Sequence, residues 1–409
     1  MADAGVDALV SWAPVSVRYL TGYWCWIAPL LKERMVLPGG GASAAMRNIA
    51  VLPRGSDPIL IGDALWAPNT IGDAVSDIRF AGAPDVGVAE GGSSLPAERR
   101  RVLDQLASGP REQDPLALLD DVLRERGLDG SRLGVELEGL ESGEAEGLRA
   151  RLPGADLLDC TNLLRLVRAV KTDSEIDRLA RSAQVAEDCA IQALEGAVAG
   201  TPTSGVARHF RELLAARDAD FDHFAFGPSG LGILTEGAVE LRDGETMYAD
   251  FGCVLEGWFA DSGTTLCVGE PTPAAARDHA AVRDCIDAGA DMLRPGQTCS
   301  AVQAAMAGTL AAAGIAGSYP HGHGVGLEVR DHPLIMPASG LAIRDDCIEV
   351  ASDLPLEQGM VVNLEAPLFT PGVRSAHCER SFVLTSDGCR PLVAQDRDSP
   401  VLAGGPAAA

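Results

Sequence analysis

Apolar and polar positions alternate with two different periods along the chain. Residues 8–20 (ALVSWAPVSVRYL) read as a strand leading to Thr21-Gly22-Tyr23. Residues 47–62 read as a strand hairpin turning at Arg54-Gly55-Ser56-Asp57-Pro58. Leu116, Leu118, Leu119, Val122 and Leu123 have helical spacing, which predicts a helix over 115–127. A short strand over 132–136, a helix over 143–152 and a strand stub over 156–159 follow. Strands alternating with helices predict an α/β domain around a central sheet. Beyond Asn162 the pattern changes. Thr172 or Asp173 caps a long helix with the stripe Ile176, Leu179, Ala183, Ala186, Cys189, Ala190, Leu194, closed by Gly200 and Pro202. Further helices are predicted over 204–216, 273–293 and 298–313, with Pro295-Gly296 between the last two.

Two strand pairs in this second half carry acidic residues. Tyr248 to Val268 (YADFGCVLEGWFADSGTTLCV) reads as a hairpin folded at Leu255-Glu256, with Asp250 and Asp261 equally far from the fold. Residues equidistant from the turn of an antiparallel pair face each other, and two facing carboxylates repel and are costly to bury. A cation between them removes the conflict. Met360–Phe369 and Ala376–Thr385 repeat the arrangement, with Glu365 and Glu379 equidistant from Gly372. Between the hairpins lies His321-Gly322-His323-Gly324-Val325-Gly326, where glycines let an imidazole approach closely. Two Asp, two Glu and a His form a hard, oxygen-rich set, suited to two divalent ions such as Mn, Fe, Co or Zn.

Size and charge narrow the picture. A chain of 409 residues predicts two domains. The net charge of −25 argues against nucleic acid and anionic membrane surfaces, which need basic groups. No apolar run has the length of a membrane span, and MADAGVDALV has no basic flank or signal-type core, so a cytoplasmic location is expected. The ten cysteines include no CxxC pair and read as reduced thiols packed in the core.

The motifs YADFG, FADSGTT, GHGVGLEV, NLEAP and CERSFVLTSDG resemble those of the pita-bread metallopeptidases: methionine aminopeptidase, aminopeptidase P, prolidase and the creatinases. VRYLTGY at 17–23 and RLVRAVKTDSEIDRLARSA at 165–183 resemble the creatinase and aminopeptidase P branch. The resemblance covers nearly the whole chain. It implies a mixed α/β (α+β) protein, with a creatinase-like N-terminal α/β domain over 1–163, a pita-bread catalytic domain over 164–397 and a flexible tail over 398–409. It implies that Asp250, Asp261, His323, Glu365 and Glu379 hold two divalent ions, that Glu365 carries the proton, and that the protein is a homodimer. The apolar segment 20–31 (LTGYWCWIAPLL) is expected to be covered in that dimer.

The chain departs from the family at the substrate-handling histidines. The histidine expected before the first Asp motif is replaced at Leu234 or Thr235. The histidine expected seven residues after His323 is Arg330, with His332 two residues further on. The arginine expected two residues before Glu379 is His377, and the histidine expected four residues before His323 is Tyr319. His321, His332 and His377 are therefore the candidate leaving-group acids. Arg330 is a candidate for binding an anionic group, and His223 for lining the substrate pocket. The expected activity is hydrolysis of a C–N bond in a short peptide-like, carboxylate-bearing substrate of Xaa-Pro type. A creatinase-like amidino or cyclic-amide hydrolase, a lyase of the same fold, and an inactive binding protein are the alternatives.

Overall fold

The structure is a computed structural model that describes residues 1–25, 48–72, 75–82, 94–109, 112, 114–140, 143–316, 318–394 and 399–404. The chain forms two compact units. One comprises Met1–Leu164 with Ile343–Glu349, the other Arg165–Ala342 with Val350–Ala409. Of the segment expected at a dimer contact, 26–31 lies outside the described residues. No helix among the described residues is long and apolar enough to cross a membrane.

The first unit contains β1 (Ala8–Ser11), β2 (Ile49–Pro53), β3 (Ile59–Asp63), β4 (Asp77–Ala81), β5 (Arg132–Val135) and β6 (Asp156–Asp159) in one sheet, ordered β4-β3-β2-β1-β5-β6. β1-β2 and β2-β3 are antiparallel, and the remaining pairs are parallel. Leu118, Leu119, Val122 and Leu123 of helix Pro115–Glu125 pack on Val10, Ile49, Val51 and Ile61. The expected strand over 8–20 is corrected: only Ala8–Ser11 is extended, and Pro14–Thr21 is a helix. Pro14 sits at the helix start, where its fixed φ and missing N–H cost nothing, and Gly22 closes the helix at φ 78°. Those two residues outweigh the apolar alternation of the segment.

In the second unit, β7 (Ala219–Gly227), β8 (Thr246–Leu255), β9 (Trp258–Val268), β10 (His321–Gly324) and β11 (Asp331–Ile335) lie in one large sheet. β14 (Val361–Thr370) and β15 (Arg374–Leu384) complete the order β11-β10-β14-β15-β9-β8-β7, while β12 (Ala342–Arg344) and β13 (Glu349–Ala351), at the two ends of the Ile343–Glu349 segment counted with the first unit, form a separate pair. β16 (Cys389–Pro391) joins β15. The expected flexible tail is corrected in part, because β17 (Val401–Ala403) runs parallel to β9, pairing with Leu266–Val268. Helices Asp173–Glu195 and Thr203–Ala215 pack on β7–β9, and helix Pro273–Met292 packs on β14 and β15. The long helix starts with a capping box: Thr172 Oγ1 accepts from the Glu175 N–H, and the Glu175 carboxylate accepts from the Thr172 N–H at 2.8 Å. Its apolar stripe is buried, as the periodicity predicts.

The two acidic hairpins have different registers. Glu365 stands directly opposite Glu379, because the three residues between Thr370 and Arg374 centre the turn on Gly372. The first hairpin turns at Glu256-Gly257, not Leu255-Glu256. Both turn residues have positive φ (49° and 76°), as in the two-residue turn that suits strand twist. Asp250 therefore pairs with Gly263, and Asp261 with Gly252. The expected face-to-face pair is corrected to a diagonal pair, which still shares one face because the offset is two residues.

Both glycines opposite the aspartates are sites of close approach. A Cβ on Gly263 would lie 2.1 Å from His377 Cδ2 and 2.8 Å from Glu379 Oε2. His377 is fully buried, stacked at 4.1 Å on Tyr248 with its Nε2 2.9 Å from Glu379 Oε2, and has nowhere to retreat. Gly263→Ala is therefore expected to destabilise the protein by about 1–3 kcal/mol, the usual range for overpacking. Urea unfolding of the two proteins checks this; equal midpoints would show that the ring moves freely.

Candidate metal centre

The register brings five acidic and basic groups to one face of the second unit's sheet. β8 supplies Asp250, β9 Asp261, β10 His323, β14 Glu365 and β15 Glu379. His323 Nε2 lies 3.3 Å from Asp261 Oδ2 and 3.8 Å from Glu365 Oε1. Three overlapping groups have their donor atoms within 4.8 Å of one another: His223 with Asp250 and Asp261, His323 with Asp261 and Glu379, and His377 with Glu365 and Glu379. All are sheltered. The side chains of Glu379 and His323 are 2% and 3% exposed, those of Asp261 and Glu365 10% and 13%.

The electrostatics of this cluster are those of a site short of positive charge. Burial and the negative charges of Asp261, Asp250 and Glu365 raise the Glu379 pKa well above the usual carboxylate range. Burial acts the same way on Asp261, but hydrogen bonds from His223 and His323 outweigh it and its pKa is lowered. Burial opposes charge on His323, yet the Asp261 carboxylate prevails and raises its pKa. Four carboxylates gathered in low dielectric repel strongly unless cations are shared among them.

The residues present fit divalent ions. Four carboxylates and an imidazole form the hard donor set that such ions select. The His323 Nδ1–H donates to the Gly324 carbonyl at 3.0 Å, which leaves Nε2 as the nitrogen facing Asp261 and Glu365; with its proton displaced, that atom would offer its lone pair to an ion. Two donors each about 2.1 Å from one ion stand roughly 3.0–3.4 Å apart at angles of about 90–110°. The 3.3 Å between His323 Nε2 and Asp261 Oδ2 falls in that range.

Other expected site residues are distributed around this core. His321 is opposite Glu365 in the β10–β14 ladder, with its Nε2 2.6 Å from Glu365 Oε1 and its Nδ1–H donating to the Tyr319 carbonyl. That contact outweighs burial and lowers the Glu365 pKa. Arg330, half-exposed, holds a guanidinium nitrogen 3.9 Å from Glu365 Oε1. His377 touches Glu379 from a fully buried position, and burial lowers its pKa. His223 reaches Asp250 and Asp261 rather than only the rim of a pocket. The His332 backbone N–H donates to Asp331 at 2.9 Å; its ring Nδ1 is buried with no hydrogen-bond partner among the described residues, and burial lowers its pKa. The neighbouring Asp331 carboxylate is clamped by the buried Arg168 guanidinium at 3.2 Å. Leu234 and Thr235 line a pocket of about 350 Å³ with Phe224, Phe226 and Arg211.

The structure adds supporting residues that the sequence did not single out. The Tyr248 phenol donates to Asp250 Oδ2 at 2.6 Å, and Asn363 Nδ2 donates to Glu379 Oε1. Ser262 Oγ contacts the buried Glu187 carboxylate, tying the long helix to the strand that carries Asp261. Tyr248 and Asn363 lie two residues from Asp250 and Glu365, so strand alternation was the signal that could have found them. The Glu187 contact spans 75 positions and has no local signal.

Comparison with known proteins agrees with this geometry. The creatinase/prolidase N-terminal domain matches residues 94–170, and metallopeptidase family M24 matches residues 177–386, more than half of the chain and all five strands of the cluster. The chain is 25% identical over 299 residues to an Xaa-Pro dipeptidase of Lactobacillus delbrueckii subsp. lactis, covering 71% of this chain and 78% of that protein. It superposes on the crystal structure of an X-Pro aminopeptidase from Thermotoga maritima with a TM-score of 0.73 and 17% identity, over 96% of this chain and 97% of that one. A dipeptidase from Mycobacterium ulcerans gives a TM-score of 0.70 at 23% identity, over 97% and 93% of the two chains. At these identities the structural matches establish the fold. A mixed α/β chain whose second unit matches the family over the whole carboxylate cluster, behind a creatinase/prolidase N-terminal domain, is a member of metallopeptidase family M24.

Proposed function

We propose that this protein is a divalent-metal-dependent hydrolase that cleaves the C–N bond of a short, carboxylate-bearing peptide, with Xaa-Pro dipeptides the first candidates. Asp250, Asp261, His323, Glu365 and Glu379 would hold two ions. The observation that carries the reading is the convergence of these five groups on one sheltered sheet face. The Xaa-Pro dipeptidase among its relatives supports the choice of substrate.

When bound, divalent ions supply Lewis-acid polarisation of a carbonyl and acidify water. The protein's own residues then divide the proton work. Glu365 is ionised, and its Oε1 can accept a proton from an attacking water. His321 Nε2, 2.6 Å away, is the next group in line and can pass that proton to the leaving nitrogen. His377 has no exposed surface, so its part is to hold Glu379 through Nε2. Arg330 adds a fixed positive charge beside Glu365, where it can pair with a substrate carboxylate.

The substitutions at Leu234 and Arg330 favour a second reading, in which the same centre acts on a non-peptide amide or amidine. Neither side chain can donate a proton near neutral pH. A screen of Xaa-Pro dipeptides against small cyclic amides and amidino compounds separates the two readings by which class turns over.

Metal removal tests the centre itself. Chelator-stripped protein should melt at a lower temperature, and Mn or Co at 100 times its Kd should restore about 2.7 kcal/mol. Asp261→Ala should abolish that gain. Binding must displace the protons that His323 and Glu379 hold above their usual ranges, so affinity should keep rising as the pH passes above those ranges. A protein that binds no divalent ion by calorimetry, with melting unaffected, would sink the proposal.

Arg330 gives a separate test. Arg330→Ala should raise KM for a carboxylate-bearing substrate about 10- to 100-fold, the worth of a charge-assisted hydrogen bond, and change kcat less. Arg330→His should raise turnover of longer peptides. Equal KM values for wild type and Arg330→Ala would show that the guanidinium does not meet the substrate.

A further inference from the structure

The structure assigns to His223 the role of an additional nitrogen ligand of the metal centre, oriented by its neighbour Asp222; this inference rests on the metal-dependent reading above. His223 Nε2 lies 2.9 Å from Asp250 Oδ1 and 3.4 Å from Asp261 Oδ1. The longer separation falls at the upper end of the range given above for two donors of one ion and the shorter lies just below it, and the donor atoms of all three residues lie within 4.8 Å of one another. The three side chains are 27%, 20% and 10% exposed, at the open side of the cluster.

Three features of the local structure hold the ring there. The β7–β8 ladder is irregular between Phe221 and His223, where Phe221 pairs with Cys253 and His223 with Gly252. The extra residue is Asp222, and such a bulge re-aims the side chains beside it. The shifted register puts His223 next to Gly252 and so on the face of Asp250. Gly252 leaves room for the ring, since a Cβ there would sit 2.4 Å from His223 Cε1. Asp222 Oδ2 accepts the Nδ1–H at 2.7 Å, which leaves Nε2 as the nitrogen facing the two aspartates, where an ion displacing its proton would meet the lone pair. A carboxylate behind an imidazole whose far nitrogen faces a ligand pair is the arrangement that orients metal-bound histidines.

The inference changes the composition of the centre. His223 would add a second imidazole on the side of Asp250, opposite His323 in the cluster. It would make that ion's donor set less exclusively oxygen and favour Co, Fe or Zn over Mn.

The test uses full-length protein, stripped with chelator and titrated with Co(II), following visible absorption and calorimetry. Asp222→Asn should weaken binding about 10- to 100-fold, the usual effect of removing a carboxylate behind a ligating imidazole. His223→Ala and His223→Gln should weaken it further and change the cobalt spectrum, while the melting temperature of the metal-free proteins stays close to wild type. X-ray absorption of native Co-loaded protein gives the imidazole count without any variant. More than one imidazole per pair of ions is expected; one alone overturns the inference. Unchanged affinity and spectrum in His223→Ala overturn it as well, with the wider metal reading intact. Wild-type protein that binds no cobalt would overturn both.

Discussion

Four carboxylates gathered on one sheet face, each sheltered from water, are the constraint around which the second unit is built. Like charges at this separation in low dielectric oppose folding by several kcal/mol unless something positive stands among them. The raised pKa of Glu379 and the lowered pKa of Asp261 express the same conflict in two ways. One group tends to keep its proton, and the other is held ionised by two imidazoles. Neither solution is complete, because each leaves part of the negative charge uncompensated. Divalent cations held among these groups would compensate it, and the 3.3 Å between His323 Nε2 and Asp261 Oδ2 is a spacing that two ligands of one ion can have.

The backbone is shaped to make that crowding possible. Antiparallel pairing puts Glu365 against Glu379 and joins Glu379 to Gly263 of the neighbouring strand. Gly263 and Gly252 stand opposite Asp250 and Asp261 respectively, and each gives its space to an imidazole, His377 at one and His223 at the other. Tyr248 and Asn363 then bond to the outer carboxylate oxygens. Glycine is required at these positions for its missing side chain, not for an unusual backbone angle. Strand geometry thus sets the donor spacing, and small residues determine which rings may enter.

Around that cluster of charge, the residues at 330 and 377 differ from the family pattern expected from the sequence. A guanidinium replaces an imidazole at 330, and a buried imidazole replaces a guanidinium at 377. In this chain the fixed positive charge stands beside Glu365, and the residue touching Glu379 from two positions before it is an imidazole. Arg330 is half-exposed beside Glu365, whereas His377 is fully buried against Glu379.

Much of this arrangement can be read from local sequence. The family motifs, the long helix with its capping box, and the facing of Glu365 and Glu379 all depend on residues near one another in the chain. A symmetric three-residue loop around Gly372 sets that second register by itself. The first hairpin needed one more fact: Glu256 and Gly257 together adopt positive φ, which moves the turn by half a residue pair and makes the two aspartates diagonal neighbours. Pro14 turned an alternating segment into a helix for a similarly local reason. What only tertiary structure decided was the company each group keeps. A bulge at Asp222 aimed His223 at two aspartates 27 and 38 residues away, and Ser262 met Glu187 across 75 residues. Asp331, close in sequence to Arg330, met the buried Arg168 guanidinium from 163 residues away. Periodicity tells which face a side chain occupies. Which distant groups share that face is set by strand order and register, and these come from the packing of the whole sheet.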